Sequence, residues 1–126
     1  MKKLLLFFIV GFNITSLFSQ KLVENKNDLT YLYIEAIKNK TFGNIQQAGY
    51  LFNKYNKVDT TCFSCLYEIS KIYLQSGDYN GALYFAYKSF YSDTSNYWYA
   101  KNYADILIII ERYKESLNVY KNVGPD

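Results

Sequence analysis

The stretch LYEISKIYLQSGDYNGALYFAYKS, residues 66–89, constrains this chain more than any other. Apolar and small side chains recur at Leu66, Ile69, Ser70 and Tyr73, and again beyond Gly77-Asp78 at Tyr79, Ala82, Leu83, Ala86 and Ser89. Spacings of three and four put each set on one face of a helix, and the glycine between them breaks both, so the expected unit is two amphipathic helices joined by a tight turn. Ser70, Ala82 and Ala86 let two backbones approach closely, while Leu66, Ile69, Tyr73 and Tyr79 are expected to supply bulk around them. Each helix has a face to bury and the pair is too small to cover it. The unit therefore requires neighbours.

Leu66, Ile69, Ser70, Tyr73, Gly77, Tyr79, Ala82, Ala86 and Ser89 follow in order the large, small, aromatic and glycine positions of the tetratricopeptide repeat, which this stretch resembles. Only the proline that usually closes the unit is absent, with Thr94 in its place. Units of that family recur every 34 residues. One period forward, Tyr79 maps to Tyr113, Ala82 to Ser116, Leu83 to Leu117, Ser70 to Ala104 and Tyr73 to Leu107. One period backward, Gly77 maps to Gly43, Tyr79 to Ile45, Ala82 to Ala48 and Ser70 to Ala36. The resemblance implies an all-α fold, a short right-handed solenoid of three helix-turn-helix repeats occupying 29–126, with repeats at 29–62, 63–96 and 97–126. Helices are expected at 29–40 and 44–55, 62–75 and 79–91, and 97–110 and 113–122. The first copy departs from the family pattern at Glu35 and Asn39, as suits an outer repeat whose free side faces water.

Ahead of the repeats, Met1-Lys2-Lys3 and the apolar run that follows read as a secretory signal peptide over residues 1–19, and 20–28 as a polar lead-in. An uncleaved anchor helix is the competing reading, but the run is short for a membrane span. Export to the periplasm, the cell envelope or the medium is the expected location, with no stable membrane insertion once the signal is removed. Loss of Lys2 and Lys3 lowers the net charge from +3 to +1, and the remaining charges form no basic stripe. Nucleic acid is therefore not an expected partner. Asn39-Lys40-Thr41 matches a glycosylation pattern too short to carry weight.

The chain contains no histidine. That removes the imidazole of Ser-His-Asp and Cys-His catalysis and the commonest metal ligand. Two cysteines cannot complete a four-ligand zinc site, and the isolated glycines form no phosphate loop. No catalytic residue, cofactor or metal is expected. Cys62-Phe63-Ser64-Cys65 is the one stretch with latent reactivity, since a C-x-x-C at a helix start has its thiol pKa lowered. Three readings stay open for Cys62 and Cys65: small packing residues, a local disulfide, which export permits, or a thiol-disulfide redox site, whose βαβ context is missing.

What the resemblance implies is a binding surface. Its groove offsets fall on Tyr33 and Ile37 in repeat one, on Ser64, Tyr67, Glu68, Lys71 and Leu74 in repeat two, and on Trp98, Lys101, Asn102, Asp105 and Ile108 in repeat three. Tyr33, Ile37 and Glu68 occupy positions where the family's best-known carboxylate-clamping groove needs Lys or Asn, so that ligand is not expected. Trp98 reads either as a groove anchor or as filler between repeats two and three. The run Ile106 to Ile110 is apolar on every side of a helix turn, and no polar capping helix follows it. It is expected to contact another chain, to mediate self-association, or to continue into a longer array. The expected function is a non-catalytic interaction scaffold that holds a protein or peptide in its groove, like the repeat proteins that bacteria place in the cell envelope.

Overall fold

A computed structural model describes residues 28–123. Six helices follow one another among them: α1 (28–41), α2 (Ile45–Val58), α3 (Phe63–Gln75), α4 (Tyr79–Ser92), α5 (Tyr97–Ile109) and α6 (Tyr113–Val123). Residues 1–27, including the expected signal peptide and most of the lead-in, lie outside the described part. The helices fall close to their expected places, α2 running a turn further than the sequence pattern suggests.

Local chemistry accounts for the breaks. Asp78 caps α4 by accepting from the Gly81 amide at 2.9 Å, and Asn96 caps α5 by accepting from Trp98 and Tyr99 amides at 3.0 and 3.2 Å. Between the hairpins, Asp59 and Asp93 each fold the chain back by accepting from the amide two residues on, at Thr61 (2.9 Å) and Ser95 (3.1 Å). Within the hairpins one backbone turn is used three times. The amides of Gly43, Gly77 and Glu111 donate to Lys40, Leu74 and Ile108 carbonyls, and those of Asn44, Asp78 and Arg112 to Asn39, Tyr73 and Leu107, all between 2.8 and 3.1 Å. The turn needs a left-handed residue. Gly43 and Gly77 supply it at φ 81° and 79°, and Glu111 adopts it at φ 63° without being glycine.

Packing follows the same period. At corresponding positions of the hairpins stand Ala36 and Ala48, Ser70 and Ala82, and Ala104 and Ser116, all essentially buried, and in the second and third a serine hydroxyl crosses to the facing carbonyl. Two core clusters result. Ala36, Ala48, Leu51, Phe52, Cys65 and Ile69 join α1, α2 and α3, and Ala82, Ala86, Phe90, Tyr103, Ile106, Leu107 and Val119 are prominent in the cluster joining α4, α5 and α6. Tyr73 touches both clusters and stacks on Phe85 at 5.4 Å between ring centroids. Its ring also lies against Gly81, where an added Cβ would stand 2.6 Å from Tyr73 Cδ1.

One expectation needs correcting. Tyr79 does not contribute core bulk but is 45% exposed; it is the first residue of α4, and Tyr73 covers the inner side of the turn instead. The run Ile106 to Ile110 is divided between core and surface, and its exposed part is the apolar face that the sequence leads one to expect. Ile106 and Leu107 are fully buried, whereas Ile108 and Ile109 remain exposed, because a helix turns every side chain by about 100° and only part of this circle meets α4 and α6. The polar departures Glu35 and Asn39 are half-buried, and Asn39 satisfies its amide on the Glu35 carbonyl at 2.8 Å.

Candidate functional site

The first helices of the three hairpins, α1, α3 and α5, share one face, and ion pairs and rings tie them together there. Lys40 at the end of α1 reaches Glu68 on α3 at 2.6 Å. On the same turn of α3, Tyr67 tilts against Tyr99 of α5 with centroids 5.4 Å apart, and Lys71 Nζ stands 5.0 Å from the Tyr67 ring centre. Burial, reinforced by Glu68, pushes the Tyr67 hydroxyl above its usual pKa, and burial does the same to Tyr99.

One period further on, Asp105 collects two donors. Lys101 Nζ lies 2.5 Å from Asp105 Oδ2, and the Tyr120 hydroxyl donates to Oδ1 at 2.6 Å. The Asp105 hydrogen bond and charge raise the Lys101 pKa, and burial with the Asp105 hydrogen bond pushes Tyr120 up to about 12. Between these groups Asn102 donates to Ser70 Oγ at 2.9 Å, and Ser70 donates to the Ala82 carbonyl at 2.8 Å, fastening α5 through α3 to α4. A cleft of about 450 Å³ opens beside this chain, lined by Lys40, Ile45, Glu68, Lys71, Ile72, Leu74, Gln75 and Asn102.

The groove positions read from the sequence divide among different places. Tyr67, Lys71, Leu74, Lys101 and Asp105 stand on the shared face, half-buried, with Lys71 and Leu74 lining the cleft. Tyr33 and Ile37 pack on the rim of the first core cluster, Tyr33 edge-on to Phe52 and Tyr55 at 5.8 and 5.9 Å. Trp98 is not filler between repeats: it is 62% exposed at the start of α5, edge-on to Tyr97. Ile108 is exposed near the last turn of α5. Lys40, Tyr99 and Tyr120 belong to the site and escaped sequence reasoning. Lys40 and Glu68 are 28 residues apart and carry no periodic signal, and Tyr99 lies one period after Cys65, a buried core position, so the shift marks it as core and not as groove.

Cys62 and Cys65 are joined in a disulfide. Cys65 is fully buried in the first core cluster, and half-buried Cys62 is the N-cap of α3, its Sγ 3.6 Å from Ser64 Oγ. Among the described residues there is no grouping of His, Cys, Asp or Glu fit to hold a metal ion. None of the described helices is long and apolar enough to cross a membrane.

No protein-family model matches the sequence, and no curated protein matches it. Among solved structures, the MamA RS-1 ArsTM double mutant superposes with a TM-score of 0.69 over 75% of this chain at 17% identity. The translocator chaperone SycD of Yersinia enterocolitica type III secretion, in its alternative dimer, gives 0.67 over 75% of this chain and 71% of its own, at 16% identity. This chain spans 53% of the length of MamA. The fold is a tetratricopeptide-like helical-repeat solenoid. Within it α1, α3 and α5 are the leading helices of successive repeats, and their common face carries Tyr67, Lys71, Lys101 and Asp105.

Proposed function

We propose that the chain is a non-catalytic protein-interaction module that holds an extended or helical segment of a partner protein along the face of α1, α3 and α5. The observation that carries this reading is the continuity of that face. Half-buried Tyr67 of α3 and Tyr99 of α5 meet there beside a cleft, the pairs Lys40–Glu68 and Lys101–Asp105 hold the neighbouring side chains in place, and Trp98 stands exposed at the start of α5. Large rings that keep a polar edge are the groups that dominate binding at protein interfaces. Export to the cell envelope is part of the proposal and rests on the N-terminal sequence alone. SycD is a chaperone in its own system, and a likeness of fold supports an interaction role without naming a partner.

Photo-crosslinking in the native host tests the proposal. A photoreactive residue at position 71 or 98 is expected to trap the same partner, and one at Lys54 or Lys88 on the second-helix side is expected to trap none. Adducts from positions 54 and 88 alone, or from no position, would overturn it.

A second reading concerns the end of the solenoid, where Ile108, Ile109, Tyr113 and Leu117 are all exposed. We propose that this patch associates with another chain. Sedimentation of the purified protein checks self-association, and a monomer at high concentration removes that form of the reading.

A further inference from the structure

We infer that the segment held on this face carries an acidic side chain next to an apolar one, with Lys71 receiving the acid. The inference rests on the peptide-binding reading above and adds the chemistry of what is bound. It starts from charge pairing on the face. Lys40 is matched by Glu68 and Lys101 by Asp105, each within 2.6 Å. Lys71 stands between these pairs with no carboxylate partner among the described residues; its ammonium is held only against the Tyr67 ring, 5.0 Å from the centroid. A half-buried cation that the protein leaves without a counter-charge is where a ligand carboxylate gains most, because the ring already orients the ammonium without neutralising it.

The surroundings of Lys71 define the rest of the ligand. Ile45, Ile72 and Leu74 give the cleft an apolar lining, and Gln75, Asn102 and the Lys40–Glu68 pair complete it. Asn102 has one amide hydrogen committed to Ser70 Oγ, which fixes the side chain and leaves its carbonyl oxygen without a donor among the described residues. A peptide N–H can fill that role. Beside the mutually neutralised Lys40–Glu68 pair, the cleft therefore offers one unpaired cation, an apolar lining and one acceptor, which matches a short acidic-apolar segment and not a basic or wholly apolar one.

A random peptide library displayed without free C-termini, selected in parallel on the full chain and on Lys71→Glu, tests the inference. The parent is expected to enrich peptides with Asp or Glu beside an apolar residue. Synthetic, C-terminally amidated versions are expected to bind Lys71→Glu about tenfold more weakly, and the selection on Lys71→Glu is expected to replace the acid with Lys or Arg. Circular dichroism confirms that the variant folds. Peptides without an acid, or bound equally by Lys71→Glu but lost in Leu74→Ala, overturn the inference and leave the peptide-binding face standing. Peptides insensitive to both substitutions, or no enrichment at all, overturn both.

Discussion

Repeats two and three build the same hairpin from different residues. In repeat two Ser70, on the leading helix, donates to the Ala82 carbonyl of the second helix at 2.8 Å. In repeat three the serine has changed sides: Ser116, on the second helix, donates to the Ala104 carbonyl of the leading helix at 3.0 Å. Repeat one has alanine at both places and no hydroxyl at all. What the crossing demands is therefore size. A hydroxyl is tolerated on either side because the facing helix offers a carbonyl to receive it. The turns differ in the same way, with Gly77 in one and Glu111 in the other holding a common left-handed backbone. The position after the turn differs too: Tyr73 presses on Gly81 in repeat two, whereas in repeat three Leu107 stands in place of the tyrosine and Glu115 in place of the glycine, pairing with Arg112 through two hydrogen bonds.

The largest effect is expected where size is the constraint. Ala82→Leu forces a branched side chain into a site with no exposure, at a residue whose carbonyl the Ser70 hydroxyl reaches from α3, and should cost about 3 kcal/mol in urea unfolding. A loss below a third of that would show that the helices can separate, and the size argument would fail. Next comes Gly81→Ala, whose new Cβ meets Tyr73 Cδ1 at 2.6 Å and Asp78 Oδ2 at 2.9 Å; about 2 kcal/mol should be lost, after the helix preference of alanine is counted in its favour. The equivalent change in repeat three, Glu115→Ala, meets no such ring and should leave unfolding nearly unchanged. Equal losses at the two positions would break the comparison.

This contrast explains what the sequence could convey. The register was legible because small residues at Ala36, Ser70 and Ala104, and glycines at 43 and 77, recur at the period their backbone environment imposes. The place of the third turn, between the expected helices 97–110 and 113–122, followed from the same period, but its left-handed residue did not, because Glu111 adopts a conformation that glycine normally signals. Trp98 was ambiguous, and Tyr79 was wrongly expected in the core, for a related reason: at the first turn of a helix a ring can point to core or to water, and periodicity within that helix does not choose. At Cys62 and Cys65 the spacing is compatible with small packing residues, a local disulfide or a redox pair, and does not by itself single out the disulfide that forms. Lys40 with Glu68 lay beyond reach, since long charged side chains meet across repeats without leaving any pattern along the chain.

If the left-handed turn is what the three hairpins share, its occupants should be interchangeable at a known cost. Glu111→Gly removes the clash of a side chain at φ 63° and should stabilise the protein by about 1 kcal/mol, while Gly77→Ala at φ 79° should destabilise it by about the same amount. A loss on Glu111→Gly would mean that the glutamate side chain contributes something its backbone cost conceals.

The smaller effects of the two serines are the most discriminating about the crossing. Ser116→Ala deletes one buried hydrogen bond to Ala104 and should cost about 1 kcal/mol or less, since the facing carbonyl stays within its own helix ladder. Ser70→Ala should cost more, because Ser70 Oγ also accepts from Asn102 at 2.9 Å and its removal strands that amide. Exchanging the pair in repeat two, with Ser70→Ala and Ala82→Ser together, gives it the repeat-three arrangement. The double variant should recover the bond across the hairpin but not the one to Asn102, so its stability should fall between Ser70→Ala and the parent. Full recovery would show that Asn102 contributes nothing through Ser70. No recovery would show that the two hairpins, alike in backbone, do not cross closely enough for the serine to work from either side.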